Sequence, residues 1–227
     1  MGVTNLIFDF DGVMAESNDI RFLGFEELFR GYPRDVVEEF MTYVKSRGGL
    51  SRYAKIIHFY EIAEKRTPFM DEVKAAAGKY SALVKEKVIQ APAVRGAEDF
   101  LRDNQGRFGM ALVSGSDELE LQEVCLHRGI DHFFSHILGS PTEKPENLAR
   151  LMKLTGWPAD YCVYVGDSLD DRLAALAVGM SFIGRNSGLV DWRGVDGVNY
   201  LNDLTELSGQ LRRLSTKREA ARSLGGK

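Results

Sequence analysis

Short apolar runs recur along the chain, each closing on small or polar residues: Leu6–Phe10, Met110–Val113, Phe133–Leu138, Cys162–Val165 and Ser181–Ile183. Each carries apolar residues at consecutive positions, as strands do when both faces of their sheet are covered. Helix-length stretches separate the later runs: Gly96–Asn104, Glu118–Arg128, Glu146–Leu154 and Leu169–Val178. Alternation of this kind predicts an α/β fold with a parallel sheet between helical layers. From about Ser17 to Gln90 the rhythm breaks and no strand pattern is present. Instead "EELFRGYPRDVVEEFMTYV" and "SRYAKIIHFYEIAEK" carry apolar residues at three- and four-residue spacings. Gly31-Tyr32-Pro33, Gly48-Gly49 and Thr67-Pro68 punctuate them, which predicts four helices bundled after the first strand, with Ala91-Pro92 as the return hinge.

The expected organisation is therefore a core over 1–16 and 91–208, a helical module over 17–90, and a polar tail over 209–227. The tail sequence, "QLRRLSTKREAARSLGGK", is basic and weakly periodic, and is expected to be a frayed helix or disordered. At 227 residues, 44% hydrophobic and 27% charged, the composition is that of an ordinary globular protein. A formal net charge of −4 offers no general attraction to nucleic acid or an anionic membrane, so neither is expected as a partner. Any anionic ligand must be held by a local site. Cys125 and Cys162 lie in no C-x-x-C pair and are expected as reduced thiols. The first strand is entered by about Val3, leaving no room for a signal peptide, and no apolar stretch reaches membrane-spanning length. A cytoplasmic location is the expectation.

In an open parallel sheet, ligands bind beyond the carboxyl ends of the strands. The first run delivers Asp9 and Asp11 in "LIFDFDGVMAES", and the second delivers Ser114 in "VSGSD". Lys144 follows in "SPTEKPENL", and Asp167, Asp170 and Asp171 in "GDSLDD". Taken singly these are commonplace, since aspartate and serine cap helices and a lysine beside proline is usually solvated. Together they make a chemical set. Asp9 and Asp167 can give magnesium two oxygen ligands, with a main-chain carbonyl near Asp11 as a third. His58, His127, His132 and His136 show no zinc-ligand spacing. A carboxylate held against magnesium can attack phosphorus, and a second acid can protonate the departing alcohol and later activate water. Asp9 suits the first role and Asp11 the second. Lys144 offsets the repulsion between these carboxylates and a phosphoryl group, while the Ser114 hydroxyl and neighbouring main-chain N–H groups, such as that of Gly115, can hold its oxygens.

The order "DFDGV … VSGS … EKPE … GDSLDD" resembles the haloacid dehalogenase superfamily over nearly the whole chain outside the tail. The resemblance implies a Rossmann-like core with a helical cap after the first motif, as in phosphoglycolate phosphatase-like and β-phosphoglucomutase-like members. It implies Asp9 as nucleophile, Asp11 as acid/base, Ser114 and Lys144 as phosphoryl binders and Asp167 as metal ligand. Asp171, four residues after Asp167, is the preferred second carboxylate over Asp170. Dehalogenase and phosphonate-cleaving members lack the acid/base aspartate, so phosphate-ester chemistry is expected. Mutase-like members carry lysine where this chain has Asp117, and Glu-Asp where it has Gly166-Asp167, which favours hydrolysis over phosphomutase activity. The alternative from another class is a pseudoenzyme that binds phosphorylated ligands without turnover.

The expectation is thus a magnesium-dependent phosphatase of a small sugar, polyol or short acid phosphate, monomeric or weakly dimeric. Family members place specificity in a loop between the first cap helices, here "KSRGGLSRY" over 45–53. Arg52 is its candidate for pairing a second anionic group or sugar hydroxyls, and Tyr53 offers a further polar contact. Glu16, at the hinge, either contacts substrate or caps a helix.

Overall fold

The structure, a computed structural model, describes residues 2–215. Leu6, Ile7 and Phe8 of β1 (Asn5–Phe8) are completely buried. Alternate side chains leave to opposite faces, so Leu6 and Phe8 enter one apolar cluster and Ile7 the other. This two-sided burial explains why Leu6, Ile7 and Phe8 are apolar in succession. β2 (Gly109–Asp117) and β4 (Cys162–Gly166) pair with β1 on either side, in parallel. With β3 (Ile137–Ser140), β5 (Ser181–Arg185) and β6 (Asn199–Leu201) they form one sheet in the order β3-β2-β1-β4-β5-β6, parallel at every pairing. The chain builds outward from β1 through β2 to β3, then returns to place β4 on β1's other edge. The strand order therefore reverses between β1 and β4, where an open sheet leaves a crevice at its carboxyl end.

Between β1 and β2 the chain inserts α1 (Asn18–Leu28), α2 (Arg34–Ser46), α3 (Arg52–Glu64) and α4 (Met70–Ile89). Their buried residues repeat at helical spacing: Val37, Phe40 and Val44 on α2, Ile56 and Phe59 on α3, and Val73, Tyr80, Val84 and Val88 on α4. Phe29 stacks on Phe59 at 3.5 Å between centroids, with Phe40 edge-on to both. The entering and leaving chains run side by side. The Glu16 N–H donates to the Pro92 carbonyl at 2.9 Å, the Val94 N–H to that of Met14 at 3.0 Å, and Ala15 bridges Ala93 in antiparallel register. The Glu16 carboxylate is held by the core. It receives both terminal nitrogens of Arg185, from the end of β5, which also reaches the Gly12 carbonyl.

The remaining helices, α5 (Ala97–Asp103), α6 (Glu118–His127), α7 (Lys144–Thr155) and α8 (Leu169–Ala177), fall within a residue or two of their predicted spans. Three expectations need correction. β3 starts at Ile137, because Phe133 and Phe134 belong to a turn in which Phe134 is buried. β6 was not anticipated. Residues 207–215 are helical and bury Leu207, Leu211 and Leu214, so the polar tail cannot begin at 209; the rest of the predicted tail, 216–227, lies outside the described residues. Cys125 and Cys162 are buried thiols, as expected. No described helix is long and apolar enough to cross a membrane.

Candidate active site

The Asp9 N–H donates to the Val165 carbonyl at 2.9 Å, extending the β1–β4 ladder one residue beyond β1 and fixing where the carboxylate sits. Phe10 turns back into the core, fully buried, and anchors the next residues. Gly12 then takes φ +70°, and a Cβ there would lie 2.0 Å from an Asp167 carboxylate oxygen. Both the turn and the approach of the β1 end to the β4 end require glycine.

Asp9 and Asp167 stand at these neighbouring ends, 4% and 2% exposed. One oxygen from each of Asp9, Asp167 and Asp171 falls within 4.8 Å of the others. Lys144, the first residue of α7, places its Nζ 2.9 Å from Asp9 Oδ2 and also against Asp171 Oδ1. Burial opposes the lysine charge, yet Asp171 and Asp9 outweigh it and raise its pKa. Burial lifts Asp9 to about 6, relieved in part by Lys144. Asp167 is lifted to about 8 by burial and by the charges of Asp171 and Asp9. Three crowded carboxylates with one ammonium are short of positive charge, and an all-oxygen donor set suits a hard divalent cation.

Asp171 has a second task. Its Oδ2 accepts from the N–H groups of Asp167 and Ser168 and from the Ser168 hydroxyl, the capping box that opens α8. With Oδ1 on Lys144, both oxygens are engaged, and Asp171 aims the lysine at Asp9. Asp170 instead pairs with Arg47 of the insert.

The Asp11 carboxylate is not among the three that converge and is held by other partners. Oδ1 accepts from the Ser17 hydroxyl and from Arg21 Nε at 3.0 Å, and Oδ2 from the Ser116 hydroxyl at 2.8 Å. Burial works to raise its pKa, but Arg21 and the hydroxyl donors overcome that and hold it below the usual value. Arg21 also bonds Glu120 on α6 at 2.7 Å.

Ser114 is buried within β2, directly after its apolar run Met110–Val113, its Oγ receiving the Ser116 N–H. The 48–50 turn of the insert comes down on it. A Cβ on Gly115 would meet the Gly49 carbonyl at 2.5 Å, and one on Gly49 would meet the Ser168 hydroxyl at 2.7 Å. Absent side chains let the turn close over the site. Asp9, Asp11, Ser114, Gly115, Lys144 and Asp167 line one cavity with Arg52.

Arg52 does not stand free for substrate. Its Nη1 and Nη2 fork onto both oxygens of Glu120 at 2.7 and 2.6 Å, Nη1 also reaches Ser81, and the guanidinium lies over the Tyr80 ring. Arg52→Ala is therefore expected to lower the thermal midpoint and to slow all phosphate esters alike. Loss confined to one leaving-group class in side-by-side kinetics would return Arg52 to substrate contact.

Asn18, Arg21, Lys55 and Glu120 were missed from sequence. Asn18, the first residue of α1, donates to Asp167 Oδ2 at 2.7 Å. Its only local signal is a polar Ser17-Asn18 step at a helix start.

The site is thus an acidic crevice at the switch point of an open parallel sheet, with a lysine across it and a helical insert closing over it. Residues 6–185 match the haloacid dehalogenase-like hydrolase family, and the chain belongs to it. Part of it is 33% identical over 108 residues to the phosphoglycolate phosphatase of Pseudomonas fluorescens, covering 45% of this chain and 39% of that protein. The matched segment thus spans about two fifths of that relative. Among solved structures, β-phosphoglucomutase from Clostridium difficile superposes with a TM-score of 0.79 at 18% identity, covering 96% of this chain and 99% of that one. A protein described as a predicted phosphoglycolate phosphatase from Haemophilus somnus gives 0.69 at 18% identity, with 91% and 97% covered. At such identities the structures establish the fold alone.

Proposed function

We propose that the protein is a magnesium-dependent phosphatase acting on a small phosphorylated metabolite through an aspartyl-phosphate at Asp9. The observation that carries this reading is the Lys144 bridge between Asp9 and Asp171 beside Asp167. Pure binding of a phosphate would not need three carboxylates crowded where the anion must sit. The acidic cluster fits a divalent cation, with Asp9 and Asp167 as the side chains that would hold it. When bound, magnesium supplies charge that offsets repulsion between these carboxylates and the phosphoryl oxygens.

An Asp9 oxygen forms the new O–P bond as the ester O–P bond breaks, and Asp11 gives a proton to the departing alcohol. Asp11 then takes a proton from water, whose oxygen attacks phosphorus and releases phosphate and free Asp9. With Arg21, Ser17 and Ser116 on it, Asp11 is set as the base of the second step. Serving as acid in the first requires those donors to loosen. Lys144 and Ser114 hold phosphoryl oxygens throughout, and residues 17–90 act as the cap that shields the site from bulk solvent while admitting the attacking water. The names of the curated relatives make 2-phosphoglycolate the first substrate to assay.

Phosphate release from 2-phosphoglycolate and p-nitrophenyl phosphate should require magnesium and stop with EDTA. Magnesium should also raise the thermal midpoint of the metal-free protein, and Asp167→Asn should abolish that shift. Full activity without metal would sink the assignment.

A further inference from the structure

Four cations line the cavity: Arg21, Arg52, Lys55 and Lys144. Arg21 pairs with Asp11 and Glu120, Arg52 with Glu120, and Lys144 with Asp9 and Asp171. Among the described residues, Lys55 alone of the four has no carboxylate partner. It lies on the first turn of α3, only 5% exposed. Its Nζ meets the Gly48 carbonyl at 3.0 Å and faces the Phe25 ring at 5.8 Å. Its direct contacts are one carbonyl and one ring; the carboxylates of Asp170 and Asp11 act on it from further off, opposed by Lys144 and Arg21, and together they do not repay the desolvation cost. Burial holds its pKa down to about 8, which still leaves it mainly protonated at pH 7. Retaining such a charge beside a phosphoryl site implies a counter-charge that arrives with the ligand.

The core residues account for the phosphoryl half of a substrate, so the counter-charge belongs to the leaving group. Lys55 lines the same cavity as Asp9, Lys144 and Asp167, so a group paired to it must be joined to the phosphoryl group by a short link, and one ammonium balances the single charge of a carboxylate rather than the two of a second phosphate. Resting on the phosphatase reading above, we propose that Lys55 is the specificity-determining residue, pairing a carboxylate carried by the leaving group of a short phosphorylated acid. Its contact with Gly48 ties the same ammonium to the turn that closes over Gly115, so recognition of the acid and closure share one group.

The test compares wild type with Lys55→Met, which keeps most of the stem and removes the charge. Three esters are assayed with magnesium: 2-phosphoglycolate, its uncharged counterpart 2-hydroxyethyl phosphate, and p-nitrophenyl phosphate. Wild type should prefer the acid. Lys55→Met should lose about thirtyfold or more in kcat/KM on 2-phosphoglycolate and less than about threefold on the other two. Its thermal midpoint should match or exceed wild type, because a poorly compensated buried charge is gone. Equal losses on all three esters would make Lys55 a structural tie for the 48–50 turn and overturn the proposal, as would an undiminished preference for the acid in the variant. Wild type acting on p-nitrophenyl phosphate without preferring the acid would overturn it while leaving the phosphatase reading intact. Turnover of none of the three would overturn the phosphatase reading, and the role of Lys55 with it.

Discussion

Asp9→Asn is expected to lower turnover by at least about three powers of ten while leaving the protein folded. The amide has the shape of the carboxylate, and its oxygen can still accept the Phe10 N–H, which lies 2.8 Å from Asp9 Oδ1. Lys144 keeps Asp171 as a partner, so no buried cation is orphaned. One negative charge also leaves a crowded cluster in which burial already disfavours the ionised form of Asp9. The thermal midpoint should therefore hold or rise as activity disappears. The neutral amide is a poor nucleophile, its nitrogen lone pair delocalised into the carbonyl and its oxygen without the carboxylate's charge. Steady-state phosphate release and a melting curve on the same preparation check both halves. Residual activity above about a tenth of wild type would rule out the covalent route, since losing a nucleophile costs far more.

The second large effect is on stability. Glu120→Ala is expected to cost about 3–5 kcal/mol, the range for removing one partner of a buried ion pair. Glu120 is 5% exposed, and it is the acceptor shared by Arg21 from α1, Arg52 from α3 and Ser81 from α4. Three helices of the insert are thus pinned to one carboxylate on α6 of the core. Without it, Arg52 loses its only carboxylate among the described residues, and Arg21 retains Asp11 alone. For a chain of this length the loss corresponds to a fall of roughly 10 °C or more in thermal midpoint.

The same carboxylate gives a pH signature. Burial acts to raise its pKa, but the Arg52 hydrogen bonds and the charges of both arginines bring the folded value down to about 2 from 4.5. A depressed folded pKa contributes stability that is complete above about 4.5 and is lost as pH falls towards 2. Glu120→Gln, which cannot titrate, should be less stable than wild type at pH 7, with the gap narrowing between those limits. Denaturation at several pH values reads this directly, and a gap that stayed constant down to pH 2 would remove Glu120 from the acid-labile set.

Much of the site was legible because its residues follow strands directly. Asp9, Ser114 and Asp167 each end an apolar run, and Lys144 opens the helix after another, so the sheet brings them together whatever the details. Glycine positions were legible for the same reason at Gly12. What sequence could not reveal was pairing across the insert. Arg21, Arg52, Lys55 and Glu120 sit on helices where charged residues at such spacings normally face water, and only the docking of α1, α3 and α4 on α6 buries them. Arg52 falls inside the glycine-hinged loop of residues 45–53 and carries a fixed charge, whereas Lys55 lies two residues beyond it. Nothing local discloses that Glu120, 68 positions away, already claims it. β6 was invisible because three residues at a sheet edge carry no periodicity.

The short antiparallel contact at residues 14–16 and 92–94 bears on how such a chain can change over time. Those positions hold each other regardless of what lies between, so the core meets the insert as a loop already closed at its base. Lengthening a closed loop is inexpensive in entropy, about 0.6 kcal/mol for each doubling. The segment beyond Arg21 could thus be enlarged or trimmed while β1 still delivers Asp9 and Asp11 to the same place and Ser17, Asn18 and Arg21 still hold Asp11 and Asp167. The ribbon is a grafting point: what stands over the crevice can be rewritten while the strand ends that form it stay put.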